Sequence, residues 1–356
     1  MIKIVVCHAG YSAYLCACWR ELAQRDDVEL NVYTPQTRHP YKEDILQGLP
    51  VHVLDERAMR DVVGFQKVVI EENPDVVVIP GWSFPVFTSL TKASALAGTK
   101  FVLSLDSAWE GTWRQIAARV FLQRYLKRMD AVIVAGERGR QFVRYLGIPA
   151  KKIFTSMYGC DYEHFKNAAV MRASSGVWPH SFVYVGRYVP AKGCDTLIQA
   201  YEIYRQQVDR PWPLHCYGTG PLKTMLSASG SIFVHDFVQP QELPATLSKH
   251  GVYILPSVHE PWGVSLAEAA ATGMPVICSD RVSSGLDIVR HLYNGFVFAV
   301  GDANALARCF IWAHNHPDKL PEMGQRAQVY AEAYSAQYWA DRWMWCFEAI
   351  LGRDNV

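Results

Sequence analysis

Short β-branched apolar runs, each followed by a longer amphipathic stretch, recur along the whole chain, and this alternation restricts the fold more than any other feature. In the first half, strands are predicted at Ile2–Cys7, Glu29–Tyr33, Val76–Ile79, Phe101–Leu105 and Ala131–Val134. Helical patterns at Ala13–Gln24, Phe87–Ala97 and Trp113–Met129 lie between them. The second half repeats the arrangement, with strands at Ser181–Val185, Pro213–Tyr217, Ile232–His235, Val252–Leu255 and Pro275–Ser279. Its helices fall near Asp195–Gln207, Pro221–Leu226, Gln241–Lys249 and Val264–Thr272. Apolar strands alternating with helices form parallel, doubly wound α/β sheets. At 356 residues the chain exceeds one ordinary core and suits two such Rossmann-like domains.

The stretch Asn167–Pro179 is poor in periodicity and carries Ser174-Ser175-Gly176. The expected division is therefore a first domain over 1–166, a linker over 167–180 and a second domain over 181–335. Further helices are predicted at Ala303–Asn315, Pro321–Ala333 and Ala336–Leu351. The last has Trp339, Trp343, Cys346, Phe347 and Ile350 on one stripe. It packs either on the second domain or back on the first; the preferred reading assigns 336–356 to the first.

Charged residues make up 19% of the chain and the net charge is +1, so no global field recruits nucleic acid. An anionic ligand must be held locally. The opening Met1-Ile2-Lys3-Ile4-Val5-Val6 reads as a strand rather than a targeting peptide, and no apolar run reaches the roughly 20 residues that span a bilayer. Nine scattered cysteines with no C-x-x-C spacing argue against a zinc site or a redox dithiol. They fit buried thiols in a reducing cytoplasm, the expected location, with no metal or cofactor.

In an open parallel sheet, ligands bind beyond the carboxyl ends of the strands. The predicted strand ending at Val185 runs into Gly186-Arg187, with Lys192-Gly193 shortly after. Arg187 supplies a planar fork and Lys192 a mobile point charge, a combination able to neutralise a diphosphate without a divalent metal. An incidental surface pair is the alternative. The next strand ends in Gly218-Thr219-Gly220-Pro221-Leu222, a tight βα turn but not a G-x-G-x-x-G fingerprint. After Leu255 come Pro256-Ser257-Val258-His259 and then Glu260-Pro261-Trp262-Gly263-Val264-Ser265-Leu266-Ala267-Glu268. A helix starting near Val264 leaves the amides of Val264, Ser265 and Leu266 as donors at its positive end. Glu260 and Glu268 each suit two hydroxyls of a sugar or ribose, because a carboxylate accepts two hydrogen bonds. The competing reading makes Glu268 a solvated helix residue and Glu260 a capping acid.

As a set, these segments resemble the family 4 retaining glycosyltransferases of GT-B fold. Glu260…Glu268 looks like the family's E-x7-E motif, and Val185-Gly186-Arg187…Lys192-Gly193 like its V-G-R…K-G segment. Tyr217-Gly218-Thr219-Gly220-Pro221-Leu222 is similar to its G-x-G-P-L turn and Asn294-Gly295-Phe296-Val297 to its N-G-x-x lead. Gly159-Cys160-Asp161…Phe165 stands where the family shows G-V-D…F. The resemblance implies two Rossmann-like domains facing a cleft and metal-independent transfer from a nucleoside-diphosphate sugar with retention at the anomeric carbon. Arg187 and Lys192 would bind the diphosphate. Glu260, with the amides of Gly263 and Val264, would contact the transferred sugar, and Glu268 the ribose. Gly186, Gly218 and Ser265 would complete the donor site, and the main chain near Phe237 and Val238 would meet the base.

The first half departs from the family, which commonly has a His after the fourth strand where this chain reads Ser104-Leu105-Asp106-Ser107. Asp106 is thus a candidate catalytic or acceptor-contacting residue, with a helix cap as the alternative. His8-Ala9-Gly10-Tyr11 is a reduced form of the family's Gly-rich first loop, so Gly10 and Tyr11 are acceptor-side candidates. Trp82, in Gly81-Trp82-Ser83-Phe84-Pro85, and Trp109 are candidates for stacking on an acceptor, with core packing as the alternative. The acceptor would be a glycan, a lipid-linked molecule or a small molecule. The basic segment Arg114–Arg128 offers peripheral contact with the inner face of a membrane, but a sheet-packing helix with a solvated basic face is the favoured reading. Alternative functions are a catalytically silent sugar-nucleotide-binding subunit and a GT-B epimerase or phosphorylase.

Overall fold

The computed structural model describes residues 1–353 apart from 38, 39, 42, 43 and 175. Ser175 of the expected linker and positions 354–356 of the expected returning segment therefore lie outside the described residues. The chain divides into two compact units, Met1–Gly159 with Ala336–Val356, and Cys160–Ser335.

The first unit holds β1 (Ile2–Cys7), β2 (Val28–Pro35), β3 (Val51–Leu54), β4 (Val76–Pro80), β5 (Lys100–Leu105), β6 (Ala131–Val134) and β7 (Ile153–Thr155). They form one parallel sheet in the order β3-β2-β1-β4-β5-β6-β7. Every residue of β4 and β6 is buried, which is why these strands read as continuous apolar runs. β3 and β7 are absent from the sequence prediction. The first is a half-exposed edge strand and the second only three residues long, so neither carries an apolar run.

The second unit holds β8 (Phe182–Val185), β9 (Leu214–Tyr217), β10 (Ile232–His235), β11 (Val252–Leu255), β12 (Val276–Ser279) and β13 (Gly295–Phe298). Its parallel sheet runs β10-β9-β8-β11-β12-β13. In each sheet the chain builds outward from its first strand, then returns to the other side of that strand. The reversal falls between β1 and β4 in one unit and between β8 and β11 in the other. Loops diverge at such a reversal and open a crevice at the strand ends.

Three sequence expectations are corrected. Much of the expected linker is the helix Tyr162–Ala173, part of the second unit. Its anchor is Arg172, 3% exposed, whose guanidinium donates to the carbonyls of His250 (3.0 Å), Thr272 (2.6 Å) and Leu247 (3.0 Å). The large apolar residues of its buried face, Tyr162 and Phe165, precede the expected linker, and only Ala168 and Arg172 continue that face within it, which hid the helix from a periodicity reading. Phe87–Ala97 is not one helix but a short turn of helix at Pro85–Thr88 followed by 3-10 turns at Ser89–Lys92 and Ser94–Leu96. Trp113–Met129 breaks at Leu122 into helices Trp113–Phe121 and Gln123–Leu126.

The helix Ala336–Leu351 lies in the first unit. Its stripe is buried from Trp339 to Phe347 and half-buried at Ile350, and the indoles of Trp339 and Trp343 donate to the carbonyls of Met157 and Ser156, each at 2.9 Å. Paired N–H groups let these large rings sit in the core without an unsatisfied donor. The chain enters and leaves the second unit side by side, where the Cys160 amide donates to the Tyr334 carbonyl at 2.8 Å.

Candidate functional site

The glycines of the β8 and β9 loops permit a backbone approach that no side chain allows. A Cβ on Gly218 would sit 1.9 Å from the Gly186 carbonyl oxygen, and one on Gly220 would sit 2.4 Å from that of Tyr188. The loops are laced by Tyr188 N–H to the Thr219 carbonyl (2.7 Å) and Leu222 N–H to the Tyr188 carbonyl (3.0 Å). The Tyr188 hydroxyl donates to the His235 carbonyl at 2.9 Å, tying in the end of β10, just before Phe237 and Val238.

On the other side of β8, the loop after β11 is sewn to the same strand end. The amides of Val258 and His259 both donate to the Ala191 carbonyl, at 2.9 and 3.1 Å. Gly193, at φ +68°, passes so close that a Cβ would meet the Pro256 carbonyl oxygen at 2.1 Å. This register brings Lys192 to Glu260, and the two form an ion pair with 15% and 10% of their side chains exposed. Ser257 Oγ donates to the same carboxylate oxygen, Oε2, at 3.2 Å. Oε1 of Glu260 has no partner among the described residues. Arg187 is exposed, and its guanidinium is likewise unpartnered among the described residues.

Gly263, at φ +100°, turns the chain into the helix Val264–Ala271. The expectation of three free amides is corrected to two, because Leu266 N–H donates to the Gly263 carbonyl at 3.1 Å. The Ser265 hydroxyl accepts from the Tyr253 hydroxyl at 2.8 Å. Glu268 is half-buried, and its carboxyl has no protein partner among the described residues. Its pKa is pushed up to about 7, first by desolvation and second by the charge of Asp161. A solvated helix residue would not titrate so high. Asp161 itself caps the Tyr162–Ala173 helix, accepting from the His164 amide at 3.3 Å.

The second unit thus gathers Gly186, Arg187, Lys192, Gly218, Glu260, Gly263, Val264, Ser265 and Glu268 on the loops and helix start beyond the carboxyl ends of β8, β9 and β11. Ser257 and Asp161 lie there as well, the first hydrogen-bonded to Glu260 and the second coupled to Glu268 by its charge. Ser257 is legible as the residue after Pro256 at a strand end, whereas nothing in the sequence links Asp161 to Glu268.

In the first unit, Asp106 is exposed at the end of β5 and accepts from the Tyr158 hydroxyl at 3.3 Å. His8, at the end of β1, donates through Nδ1 to the Gly10 carbonyl at 2.6 Å. Desolvation lowers its pKa, against the Gly10 hydrogen bond and the Asp106 charge, which raise it. A strand-end His beside an Asp is a feature the sequence reading passed over. A Cβ on Gly10 would meet nothing within 4 Å, so this position is open. Tyr11 is buried, and its hydroxyl accepts from Gln36 Nε2 at 2.9 Å. Trp82 and Trp109 both pack on Phe142, with ring centroids 6.5 and 5.9 Å away. Tyr11 is thus covered by the core, while Trp82 and Trp109 pack on it and stay half-buried.

Comparison with known proteins agrees with this anatomy. The sequence profile described as "Glycosyl transferases group 1" matches residues 178–330, and that described as "Glycosyl transferase 4-like domain" matches 9–159. An exopolysaccharide phosphotransferase of Streptomyces coelicolor is 26% identical over 236 residues, 63% of this chain and 24% of that protein. A GDP-mannose-dependent alpha-(1-6)-phosphatidylinositol monomannoside mannosyltransferase of Mycobacterium tuberculosis is 30% identical over 230 residues, 58% of this chain and 59% of that one. The chain spans less than two thirds of the length of these curated relatives. The crystal structure of HepE from Anabaena in complex with UDP has the same fold, with a TM-score of 0.75 at 17% identity, covering 98% of this chain and 100% of that one. With both halves matched by glycosyltransferase profiles and two Rossmann-like parallel sheets of seven and six strands, the chain belongs to the GT-B glycosyltransferases of group 1, the family 4 type.

Proposed function

We propose that the protein transfers a sugar from a nucleoside-diphosphate sugar to a hydroxyl or other nucleophile of an acceptor, with retention at the anomeric carbon and without a metal. The observation that carries this reading is the Lys192–Glu260 ion pair beside the unpartnered Arg187 and Glu268 at the β8–β11 reversal. An ammonium bound to one carboxylate oxygen still has two N–H donors. Lys192 is thus oriented by Glu260 and open toward a diphosphate, while Glu260 Oε1 is open toward a sugar hydroxyl. Arg187 and the Val264 and Ser265 amides add positive potential on the same side. When the bond from the anomeric carbon to the phosphate oxygen breaks, the electron pair stays on that oxygen, where these groups stabilise it. A metal supplies this charge in other enzymes; here two cationic side chains take that role.

Glu268, partly desolvated and unpaired, is suited to two ribose hydroxyls, whose hydrogen bonds replace the water it has lost. Support for the donor class also comes from the GDP-mannose dependence named for the mycobacterial relative and the UDP and UDP-glucose held by HepE. Retention rests on the resemblance to the retaining family. On the first unit, Asp106 and His8 are the groups offered to an acceptor hydroxyl. A single experiment tests the reading: incubation with a panel of nucleotide sugars in excess chelator, followed by proton NMR. Release of one nucleoside diphosphate, with the sugar first appearing in the donor's anomeric form, is the expected result. Release that requires added metal, or that gives the opposite anomer, contradicts it.

A further inference from the structure

The segment leaving the loop of Asp106 and Trp109 folds as the helix Trp113–Phe121, and none of its residues is buried. Its inner side is thin. Ala118, and Leu122 just past its end, touch the first unit's core, while Gln115 Nε2 donates to the Ala108 carbonyl at 2.7 Å. Its outer side carries Trp113, Ile116, Val120 and Phe121, which are 73%, 50%, 72% and 83% exposed. Positions 113, 116 and 120 follow helical spacing and 121 adjoins them, so the four form one apolar ridge. A helix packed on a sheet buries such a ridge, and the sequence expectation of a sheet-packing helix is corrected on this point. Contiguous apolar surface left in water marks an interaction site.

The ridge is set in positive charge. Between Gly111 and Met129 stand Arg114, Arg119, Arg124, Lys127 and Arg128, with no acidic residue. None of these five forms an ion pair among the described residues. Arg119 lies over the Tyr145 ring, which joins the helix to Glu137–Tyr145 and its exposed Arg140 and Arg144.

We propose that this helix docks on an anionic lipid bilayer. Trp113, Ile116, Val120 and Phe121 would enter the boundary between headgroups and acyl chains, with the arginines and Lys127 on lipid phosphates. Charge decides the occupant. A second copy would bring the same cations face to face, with no carboxylate between Gly111 and Met129 to set against them, and nucleic acid gains nothing from exposed Ile116 and Val120. Anionic lipid satisfies both the ridge and its rim. Docking would hold the Asp106 loop at the lipid surface, where a lipid-linked acceptor lies.

The test is co-sedimentation of the full chain with vesicles of equal phosphatidylglycerol and phosphatidylcholine, and with vesicles of phosphatidylcholine alone. Wild type should bind the anionic vesicles only, and more weakly as salt rises. W113S/V120S/F121S and, separately, R114E/R124E/K127E should each lose at least about tenfold in affinity at unchanged Tm, since these side chains bury little. The proposal is overturned if wild type fails to bind anionic vesicles at low salt, or if the apolar variant binds as well as wild type. It is equally overturned if size-exclusion chromatography shows a dimer that W113S/V120S/F121S converts to monomer, which would assign the ridge to self-association. Because the readout is lipid binding alone, the result is independent of the transfer reaction.

Discussion

Lys192 reaches from the loop after β8 to the Glu260 carboxylate in the loop after β11, and the two close an ion pair that water barely reaches. Removing one member leaves the other charge partly buried and alone. Lys192→Met should destabilise the second unit by about 3 kcal/mol, and adding Glu260→Gln should recover most of that loss. Urea unfolding of the two variants measures it. Both variants should bind a nucleotide-sugar donor about 10- to 100-fold more weakly, because a charge-assisted hydrogen bond is missing.

Glu268 and the histidines of the β9–β10 edge give opposite pH dependences. The Glu268 carboxyl is raised to about 7 from an ordinary 4.5, so the unfolded chain releases its proton first. That term favours the fold below pH about 4.5 and is lost as pH rises toward 7. Glu268→Gln should therefore raise Tm at pH 8 and leave it unchanged at pH 4, while weakening nucleotide binding at pH 8, where the carboxylate is ionised.

His250 is buried between Ser181 Oγ at 3.0 Å and the Tyr217 hydroxyl at 3.2 Å. Desolvation first, and then the charges of His215, His235, Arg172 and Lys249, lower its pKa to about 3. Desolvation also lowers those of His215 and His235, whose ring nitrogens lie 3.1 Å apart. The contribution of His250 is complete above pH about 6.5 and disappears as pH falls toward 3, because the unfolded chain takes up protons first. Melting curves of His250→Gln should show a shallower loss of Tm between pH 6.5 and 4 than wild type. A wild-type slope retained in the variant would remove His250 from this account.

Gly218→Ala tests the close packing of the donor loops. The added methyl would overlap the Gly186 carbonyl, which cannot yield without moving Arg187. A loss of Tm together with loss of nucleotide binding is expected, read by calorimetry and titration. An Ala variant with wild-type affinity would show that the loops are free to part.

Asp106→Asn should reduce turnover by at least about tenfold without changing Tm, since Asp106 is exposed and accepts only the Tyr158 hydroxyl among the described residues. Turnover within about threefold of wild type would leave Asp106 as a loop residue.

Most of the sheet is legible in the sequence, because central parallel strands must be apolar on both faces, as Val76–Pro80 and Val252–Leu255 are. The Glu260…Glu268 segment is legible for a related reason: Pro261 and Gly263 announce the turn into the helix. Edge strand Val51–Leu54 lacks that signature, and Arg172, bound to carbonyls, stands on the buried face of its helix where an apolar residue would have marked it. Two further features depend on distance in space. Spacing alone does not show that Lys192 meets Glu260, or that Asp161 raises the pKa of Glu268. Nor does it separate Trp113, which lies on the surface, from Trp109, which packs on Phe142.

The central claim is a nucleoside-diphosphate site at the β8–β11 reversal. Thermal unfolding of wild type and Glu268→Ala with UDP, GDP, ADP, dTDP and CDP tests it most directly. A ligand at about 100 times its Kd should stabilise the wild-type fold by about 2.7 kcal/mol. One base should give a clear rise in Tm that Glu268→Ala reduces. No response to any nucleotide, or an equal response in the variant, would contradict the assignment.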